Sequence, residues 1–360
     1  MPDGTSPRPG LADLGAPTID WPSVRRVLVI RLRSIGDTVL STPTLIALRR
    51  FLPNAEIDVL LEPWVAPVLE GFPHLTSVIP VHNGLPDRFR TARKIRRRAY
   101  DVVFNLHGGS TSSFMAFATG ARFRIGYSNH RYLQFYTHLL SSSADFWQRP
   151  ITHSAEQQLA LAGFAGVPVD DRPRTSLAIK QDAAIDVESI LSGYNIADRP
   201  LALIHPTTAF ETKRWPARNF AELLSHLNAI GLYPVLVSTP AESEIIDDVC
   251  TYATQDFVHL PGLTLPQITA LAARAQLFVG NDSGIAHIAA AVQTPTVVIF
   301  GSSNRAHWHP WTDAPNAIVF DPLPCQPCPG YRCEQFGEPR CILNIPTSKV
   351  IAEIEKVLAV

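Results

Sequence analysis

Short apolar runs alternate with helix-like patterns through the first half of the chain. Five runs rich in branched aliphatic and aromatic residues predict strands at 24–32, 55–61, 77–81, 101–106 and 122–127. The stretches between them follow a helical period, which predicts helices at 37–52, 64–71, 86–99 and 110–119. Because strands separated by helices form βαβ units, we expect a parallel sheet.

The same alternation begins again after a mainly helical stretch at 151–194. Strands are predicted at 201–206, 233–238, 257–260, 277–282 and 296–301, and helices at 216–229, 241–251, 265–274 and 284–292. The predicted fold class is therefore α/β, with two doubly wound parallel-sheet domains at 24–190 and 195–345. Ligands of such sheets bind at the carboxyl ends of the strands, so we expect a site in the cleft between the domains.

The two ends of the chain depart from this pattern. Residues 1–23 are rich in Pro, Gly and Asp and lack an apolar core, so we predict a disordered lead and not a signal peptide. Residues 346–360 carry apolar positions at helical spacing, which predicts an amphipathic closing helix. The net charge of −1 gives no reason to expect a nucleic-acid partner.

A polar loop after the strand at 201–206 is a candidate phosphate site. It carries hydroxyls and cations and leads into a helix predicted to begin at Pro216; the loop residues are Thr207, Thr208, Thr212, Lys213 and Arg214. Hydroxyls, cations and a helix N-terminus together suit an anionic ligand. A solvated loop explains the same residues equally well.

The sequence GNDSG, at 280–284, follows the strand at 277–282 and leads into a helix of small residues. Gly284 lets a ligand approach the backbone, and Ser283 can cap the helix. This arrangement resembles a diphosphate seat more than a metal site. Asp282 can also be an ordinary turn residue, and His287 by itself can be a packed histidine.

Two further acids stand where helices begin. Asp37 follows Gly36 at the turn after the first strand, and it is either a helix-capping acid or a general base across the cleft from the phosphate site. Glu242 and Glu244 open the helix after the strand at 233–238. First-turn acids are common in helices, but one of these can also hold a ribose or a base.

Four of the five cysteines lie close together, at Cys325, Cys328, Cys333 and Cys341. Their spacing can wrap a structural zinc ion or an iron–sulfur cluster. Free thiols and labile disulfides remain alternatives. Four thiolates leave no open coordination position, which argues against a catalytic zinc.

Residues 87–100 contain seven basic side chains. Phe89, Ala92, Ile95 and Ala99 fall on one helical face, which predicts that the cations line the other. The segment is then either a solvated surface helix or a contact for a phosphorylated or membrane-borne substrate.

Three stretches occur in the order found in glycosyltransferase family 9, the ADP-heptose:lipopolysaccharide heptosyltransferases and their relatives. They are RSIGDTVLSTP, HPTTAFETKRWP and VGNDSGIAHIAAAVQTPTVVIFGSSNRAHWHPW, and the resemblance covers residues 24–360. The cysteine cluster is similar to that of a subset of the family.

The resemblance implies a GT-B fold with two Rossmann-like domains, the first for the acceptor and the second for the nucleotide sugar. It implies an inverting, metal-independent transfer of a heptose or related sugar from an ADP-sugar to lipopolysaccharide core or a similar glycan, with no cofactor required. It also implies a cytoplasmic protein, with contact to the cytoplasmic face of the inner membrane. The sequence contains no D-x-D triplet, the carboxylate pair of metal-dependent sugar transferases.

The resemblance also assigns roles. Asp37 matches the proposed catalytic base, Lys213 a phosphate-binding lysine and Asp282 the acid that holds the donor sugar. The remaining donor-side residues are Thr207, Thr208, Arg214, Glu242 (or Glu244), Ser283, Gly284 and His287. The stretch between Thr208 and Lys213 is one residue longer than in the best-known members, which loosens the match there.

Two other functions fit the same pattern. One is a different GT-B enzyme acting on nucleotide sugars, such as an epimerase. The other is a non-catalytic glycan-assembly protein that uses the cysteine segment for docking. The intact Asp37, Lys213 and Asp282 argue against the non-catalytic alternative.

Overall fold

The computed structural model describes residues 15–328 and 330–359. The first half of the chain contributes one set of strands: β1 (Arg26–Leu32), β2 (Glu56–Leu61), β3 (Ser77–Pro80), β4 (Val102–Asn105), β5 (Phe123–Tyr127) and β6 (His138–Leu140). Its helices are α1 (Ile35–Val39), α2 (Thr42–Phe51), α3 (Leu85–Arg97), α4 (Ser110–Thr119), α5 (Ser143–Trp147) and α6 (Ser154–Phe164).

The second half repeats the arrangement. Its helices are α7 (Gln181–Gly193), α8 (Ala217–Ala229), α9 (Ser243–Tyr252), α10 (Leu265–Arg274), α11 (Gly284–Ala291), α12 (Arg305–Trp308), α13 (Arg340–Leu343) and α14 (Thr347–Leu358). Its strands are β7 (Leu201–His205), β8 (Tyr233–Ser238), β9 (Val258–Pro261), β10 (Leu277–Asn281), β11 (Thr296–Phe300) and β12 (Asn316–Phe320).

The strands form two parallel six-stranded sheets, in the orders β3-β2-β1-β4-β5-β6 and β12-β11-β10-β7-β8-β9. The predicted doubly wound α/β fold is confirmed. In each sheet the chain order reverses between two central strands, β1 and β4 in the first and β7 and β10 in the second. These reversals open the crevice in which parallel sheets bind ligands.

The central strands are buried because helices cover both faces of each sheet. Val27 to Ile30 in β1 and all five residues of β10 are buried, as the uninterrupted apolar runs predict. The edge strands β6 and β12 were absent from the sequence prediction. Both lie at the outer end of a sheet, where one partner strand suffices and the apolar signal is short.

Two predicted helices differ in the structure. The predicted helix 37–52 is two helices, α1 and α2, and α1 begins at Ile35, so that Asp37 lies inside its first turn. The predicted helix 64–71 is a 3-10 turn at Ala66–Leu69, with Pro67 in its first turn. The predicted apolar face at 87–100 was confirmed at Ala92 and Ile95, which are buried. It was wrong at Phe89, which lies exposed on α3, and at Ala99, which is exposed beyond the end of that helix.

The segments around the predicted domain limits pack as follows. Residues 1–14 of the predicted lead lie outside the described residues. Trp21–Ser23 forms a 3-10 turn, and the indole of Trp21 packs on Phe51 at 5.3 Å and donates to the carbonyl of Ala165 at 3.1 Å. These last residues of the lead therefore pack on the first domain.

Helix α7 spans the predicted boundary near 190 and packs against α10, so it belongs with the second sheet. Helix α14 covers β11, β12 and α8 through Val350, Ile354 and Val357. Among the helices of the described ranges, none has the length and apolar character that crossing a membrane needs.

Candidate active site

The crevices of the two sheets face each other through the N-terminal ends of α1 and α11. A methyl group placed on Gly36 would lie 2.7 Å from Cδ2 of His287, and one on Gly284 would lie 2.8 Å from Cβ of Ile35. Glycine is needed at both positions because no real Cβ tolerates such contacts. This approach brings Asp37 next to the GNDSG segment of the other domain.

Asp37 is held by its own turn and by the preceding strand. Its Oδ2 accepts a hydrogen bond from Oγ of Ser34 at 2.9 Å, and its Oδ1 forms an ion pair with Arg31 of β1. Ser34 and Asp37 together form a capping box at the start of α1. Capping and catalysis are therefore compatible roles, since the carboxylate caps the helix and still reaches a cavity.

That cavity has a volume of about 300 Å³ and is lined by polar side chains from both domains. His107 and His130 come from the first domain, and Trp308 from the second. Burial and the neighbouring Arg31 lower the pKa of His107, and burial lowers the pKa of His130 to about 4. Both imidazoles are therefore neutral near pH 7 and offer hydrogen bonds to an uncharged polar ligand.

Across the crevice, Asp282 and Lys213 form a buried ion pair. Nζ of Lys213 donates to Oδ2 of Asp282 at 2.8 Å, and Oγ of Ser303 donates to the same oxygen. Nζ of Lys213 also lies 5.1 Å from the ring centre of Phe210. The carboxylate of Asp282, which follows β10, is thus bound by one residue after β7 and one residue after β11.

Asn281, the last residue of β10, holds the loop that follows β7. Its Oδ1 accepts from the backbone N–H of Trp215 at 3.1 Å, and its Nδ2 donates to the carbonyl of Pro206 at 2.8 Å. Asn281 is fully buried, so both bonds are shielded from water. The loop that carries Lys213 is therefore fixed relative to Asp282 by the residue immediately before it.

A second polar network around His205 includes three of the predicted donor residues. The ring of His205 contacts Oγ of Ser283 at 3.0 Å and Oγ1 of Thr207 at 3.0 Å, and Thr207 also lowers the pKa of the nearby Glu242 carboxyl. Burial lowers the pKa of His205. Ser283 stands at the N-cap of α11, but its hydroxyl contacts His205 and makes no capping bond, which leaves the first N–H groups of Gly284 and its neighbours available.

The side chains of Glu242 and Arg214 do not contact the Lys213–Asp282 pair. Glu242 accepts from both the N–H and the hydroxyl of Thr239 at 2.8 Å, in a capping box. Burial raises the pKa of Glu242, but these bonds, Thr207 and His205 together bring it below its usual value. Arg214 lines a separate cavity of about 250 Å³ with Asp248 and Glu338, so it does not join Lys213 at Asp282.

Thr208 and His287 are both buried in the crevice. His287 packs against Gly36, with Asp37 and Asp282 as its nearest acids. Burial lowers the pKa of His287 although these two carboxylates favour its charged form. His287 therefore lies between the two predicted reactive acids as a neutral, buried ring.

The cysteine cluster lies beside the Lys213 loop. The backbone N–H of Cys328 donates to the carbonyl of Ser302 at 2.9 Å, and the ring of Tyr331 lies 4.3 Å from that of Phe210. The four thiols are free, and burial together with charges on the other three raises the pKa of Cys341 to about 11. Within 15–328 and 330–359, no three His, Cys, Asp or Glu side chains are arranged as metal ligands, so the metal stays a prediction.

Several contributors to the site escaped sequence reasoning. Arg31, His205 and Asn281 are polar residues in otherwise apolar strands, and that interruption was the available signal. Ser303 follows β11, where the small polar stretch GSSN offered a weaker one. His107 follows β4 and could have been found by asking which residues end the strand beside β1.

Two facing doubly wound domains, with an acid from one and an acid–lysine pair from the other at their meeting edges, define a GT-B glycosyltransferase. The model of one family, described as glycosyltransferase family 9 (heptosyltransferase), matches residues 88–336. The chain belongs to this family, and it is a glycosyltransferase.

Relatives and solved structures agree with that assignment. The chain is 28% identical to lipopolysaccharide heptosyltransferase 3 of Escherichia coli (strain K12) over 346 residues, which cover 91% of this chain and 96% of that one. A family 9 glycosyltransferase from Veillonella parvula has the same fold, with a TM-score of 0.81 at 22% identity and coverage of 93% and 97%. E. coli ADP-heptose lps heptosyltransferase II aligns with a TM-score of 0.77 at 22% identity, covering 93% and 98%.

Proposed function

We propose that the protein transfers a heptose from ADP-heptose to a lipopolysaccharide core acceptor in the cytoplasm, with inversion and without a metal ion. The observation that carries the proposal is that Asp37 and the Lys213–Asp282 pair both lie near His287, where α1 of one domain contacts α11 of the other. The names of the relatives support the choice of donor and acceptor.

Asp37 acts as the general base in this proposal. It lines the polar cavity, where the neutral His107 and His130 can orient the hydroxyls of a sugar acceptor. Asp37 takes the proton of the attacking hydroxyl as that oxygen bonds to the anomeric carbon. The ion pair with Arg31 and the hydrogen bond from Ser34 hold the carboxylate in place at the edge of this cavity.

The bond from the anomeric carbon to the diphosphate breaks in the same step, and its electron pair leaves with the diphosphate. Lys213 and the free N–H groups at Gly284 face this developing charge. When Lys213 turns to the phosphate, Asp282 loses its partner and can accept hydroxyls of the donor sugar. Base and leaving-group contacts lie on opposite domains, which favours attack from the face opposite the diphosphate. Such a single displacement inverts the anomeric centre.

A transfer assay tests the proposal. Purified protein, ADP-heptose and a lipopolysaccharide inner-core oligosaccharide are incubated, and the product is analysed by mass spectrometry and by the anomeric coupling in its NMR spectrum. We expect one added heptose with inverted configuration and one ADP released per transfer. Retention, or conversion of the donor alone without transfer, would contradict the proposal.

We also propose that Cys325, Cys328, Cys333 and Cys341 hold a structural metal ion. The donor set suits zinc or an iron–sulfur cluster, and the mutual influence of the thiols on the pKa of Cys341 supports their proximity. Bound metal would hold the thiols deprotonated and stiffen the segment beside the Lys213 loop. Elemental analysis of purified protein tests this, with the Cys250→Ser variant keeping the metal and Cys328→Ser losing it.

A further inference from the structure

An exposed row of aromatic rings crosses the outer surface of the first domain. Leu85 and Phe89 on α3 are 68% and 61% exposed, and Phe117 on α4 and Tyr132 are each 49% exposed. Singly exposed apolar residues are ordinary, but a contiguous group of this size marks an interaction surface.

The group is contiguous because ring contacts and the spacing of two rings on α4 connect its members. Phe89 lies edge-on to Phe114 of α4 at 6.0 Å between ring centres, and Phe114 and Phe117 lie three residues apart on one helical face. Phe117 stacks on Phe135 at 4.6 Å, and Phe135 contacts Tyr132 at 5.5 Å. We call this set the aromatic row.

Cations surround the aromatic row. The guanidinium of Arg124 lies 6.0 Å from the ring centre of Phe117, and Arg96 reaches the carbonyl of Thr119 at the end of α4, at 3.3 Å. Between 84 and 140 the chain carries ten Arg and Lys residues and only two acids, Asp87 and Asp101. The overall charge of −1 therefore includes a strongly basic segment in the first domain.

We propose that the aromatic row and the cations around it bind the surface of an anionic lipid bilayer. Exposed rings enter the headgroup region of a bilayer, and Lys and Arg beside them are attracted to anionic lipids. The cations disfavour the alternative occupant, a second copy of this chain, because pairing two such faces would bring like charges together.

The surface lies next to the acceptor side of the crevice. The backbone N–H of Arg131 donates to the carbonyl of Gly108 at 3.0 Å, and both Gly108 and His130 line the cavity of Asp37. Tyr132 follows two residues after His130. On the proposed function, a protein seated through the aromatic row would hold this cavity close to a membrane-anchored acceptor, although binding to lipid itself does not depend on the acceptor.

Vesicle co-sedimentation tests the proposal without any acceptor. One set of vesicles contains phosphatidylcholine alone, and the other contains phosphatidylcholine mixed with phosphatidylglycerol. We expect the protein to bind the mixed vesicles and not the neutral ones, and to be released as salt rises. Equal binding to both sets, or to neither, overturns the proposal.

Two variants separate the components. Phe89→Ser with Phe117→Ser removes exposed rings, and Arg93→Ser with Lys94→Ser removes two exposed cations; each is expected to weaken binding to mixed vesicles at least tenfold. The controls are Tyr252→Ser, with 57% of its residue surface exposed on the other domain, and Arg218→Ser on α8, both expected to bind as the unchanged protein does.

Three further measurements keep the outcomes distinct. Thermal unfolding shows that each variant is folded, and stabilisation by ADP shows that the donor side is intact. Transfer to a water-soluble acceptor is expected to be unchanged, so a failure of lipid binding and a failure of the proposed function give different results. If the variants abolish self-association instead of lipid binding, the row is an interface between copies and the proposal is wrong.

Discussion

Asp37 has two partners that hold it in place, and the proposed reaction needs its free lone pairs. We predict that Asp37→Asn keeps the bond from Ser34 but cannot accept a proton, so that kcat falls by about 100- to 10,000-fold. Binding of ADP-heptose, measured by calorimetry, is expected to change little because Asp37 lies in the acceptor cavity. Turnover close to that of the unchanged protein would remove Asp37 from the chemistry.

Lys213 and Arg214 are adjacent in sequence but have different surroundings, since Lys213 pairs with Asp282 and Arg214 lines a separate cavity. We predict that Lys213→Met weakens binding of ADP-heptose by about 10- to 150-fold, since a charged hydrogen bond is worth about 1.5–3 kcal/mol. Arg214→Met is the matched control and is expected to change donor affinity by less than about threefold, because its side chain lines the cavity beside Asp248. Equal losses for the two variants would mean that the donor contacts the cavity of Arg214 as well as Lys213.

At the scale of elements, the start of α6 depends on one buried acid. Glu156 accepts from the N–H of His153 at 2.9 Å and pairs with Arg149 and Arg172. We predict that Glu156→Ala lowers the free energy of unfolding by about 2–3 kcal/mol. Breaking a fully buried pair costs more, but both arginines here are partly exposed.

Urea unfolding measures the loss at Glu156, and a second acid provides the control. Asp171 pairs with Arg50, with both side chains more than half exposed, so Asp171→Ala is expected to cost less than about 1 kcal/mol. A loss of that small size for Glu156→Ala as well would show that the start of α6 does not depend on the buried charge.

Helices are predicted well where apolar periodicity and turn residues agree on their ends, and poorly where the two signals disagree. The helix α4 was predicted with its observed bounds, 110–119, because Gly residues bracket a uniform helical stretch. The helix predicted at 37–52 was too long because the apolar period continues across Leu40 and Ser41, while the backbone turns before Pro43. Phe89 was misplaced because hydrophobicity alone does not tell a core face from an interaction face.

The site was predictable where residues follow strand ends, since topology brings those ends together. Asp37, Lys213 and Asp282 were selected in this way, and their roles stay predictions. The bond partners of Glu242 and the direction of Arg214 were not, because a side chain's orientation depends on neighbours distant in sequence. Asn281 and His205 act through other residues, and their role appears only when both of their bonding partners are known.

At the scale of the whole molecule, the two domains meet in a second place, around His153 and Trp311. Nε2 of His153 contacts the carbonyl of His309 at 2.8 Å, its ring stacks on Trp311 at 4.7 Å, and Trp311 donates to the carbonyl of Pro173 at 2.9 Å. Burial and the nearby His309 lower the pKa of His153 to about 2. This histidine is therefore neutral in the folded protein at every pH used for assays.

We predict that the protein loses stability as the pH falls below about 6.5. Between about 6.5 and 2 the unfolded chain protonates His153 and the folded chain does not, so the unfolded state binds more protons. For this residue alone, unfolding becomes about 2 kcal/mol easier from pH 7 to pH 5. Urea unfolding at both pH values, for the unchanged protein and for His153→Gln, is expected to show a smaller difference in the variant.

The exposed His82 provides the matched control for that measurement, with His82→Gln keeping the full pH dependence. If His153→Gln keeps it as well, the acid sensitivity comes from other buried histidines, of which His130 and His205 are the nearest in character.

The positive charges in the crevice predict whether transfer activity depends on a metal ion that a chelator removes. On the proposed function, Lys213 and the N-terminus of α11 supply positive charge beside the diphosphate, so we expect transfer to proceed undiminished in EDTA. The measurement is ADP release with and without EDTA, after brief exposure. Loss of activity that Mg²⁺ or Mn²⁺ restores would contradict a metal-independent reaction.

The contact between Gly36 and His287, and between Gly284 and Ile35, has a consequence for distance. The two halves of the enzyme can come this near because neither glycine carries a methyl group at the contact. Alanine at either position would prop the halves apart and lengthen the path between the acceptor oxygen and the sugar carbon, without removing a single reactive group. The distance between the two reacting atoms thus depends on the absence of a Cβ at these two glycines.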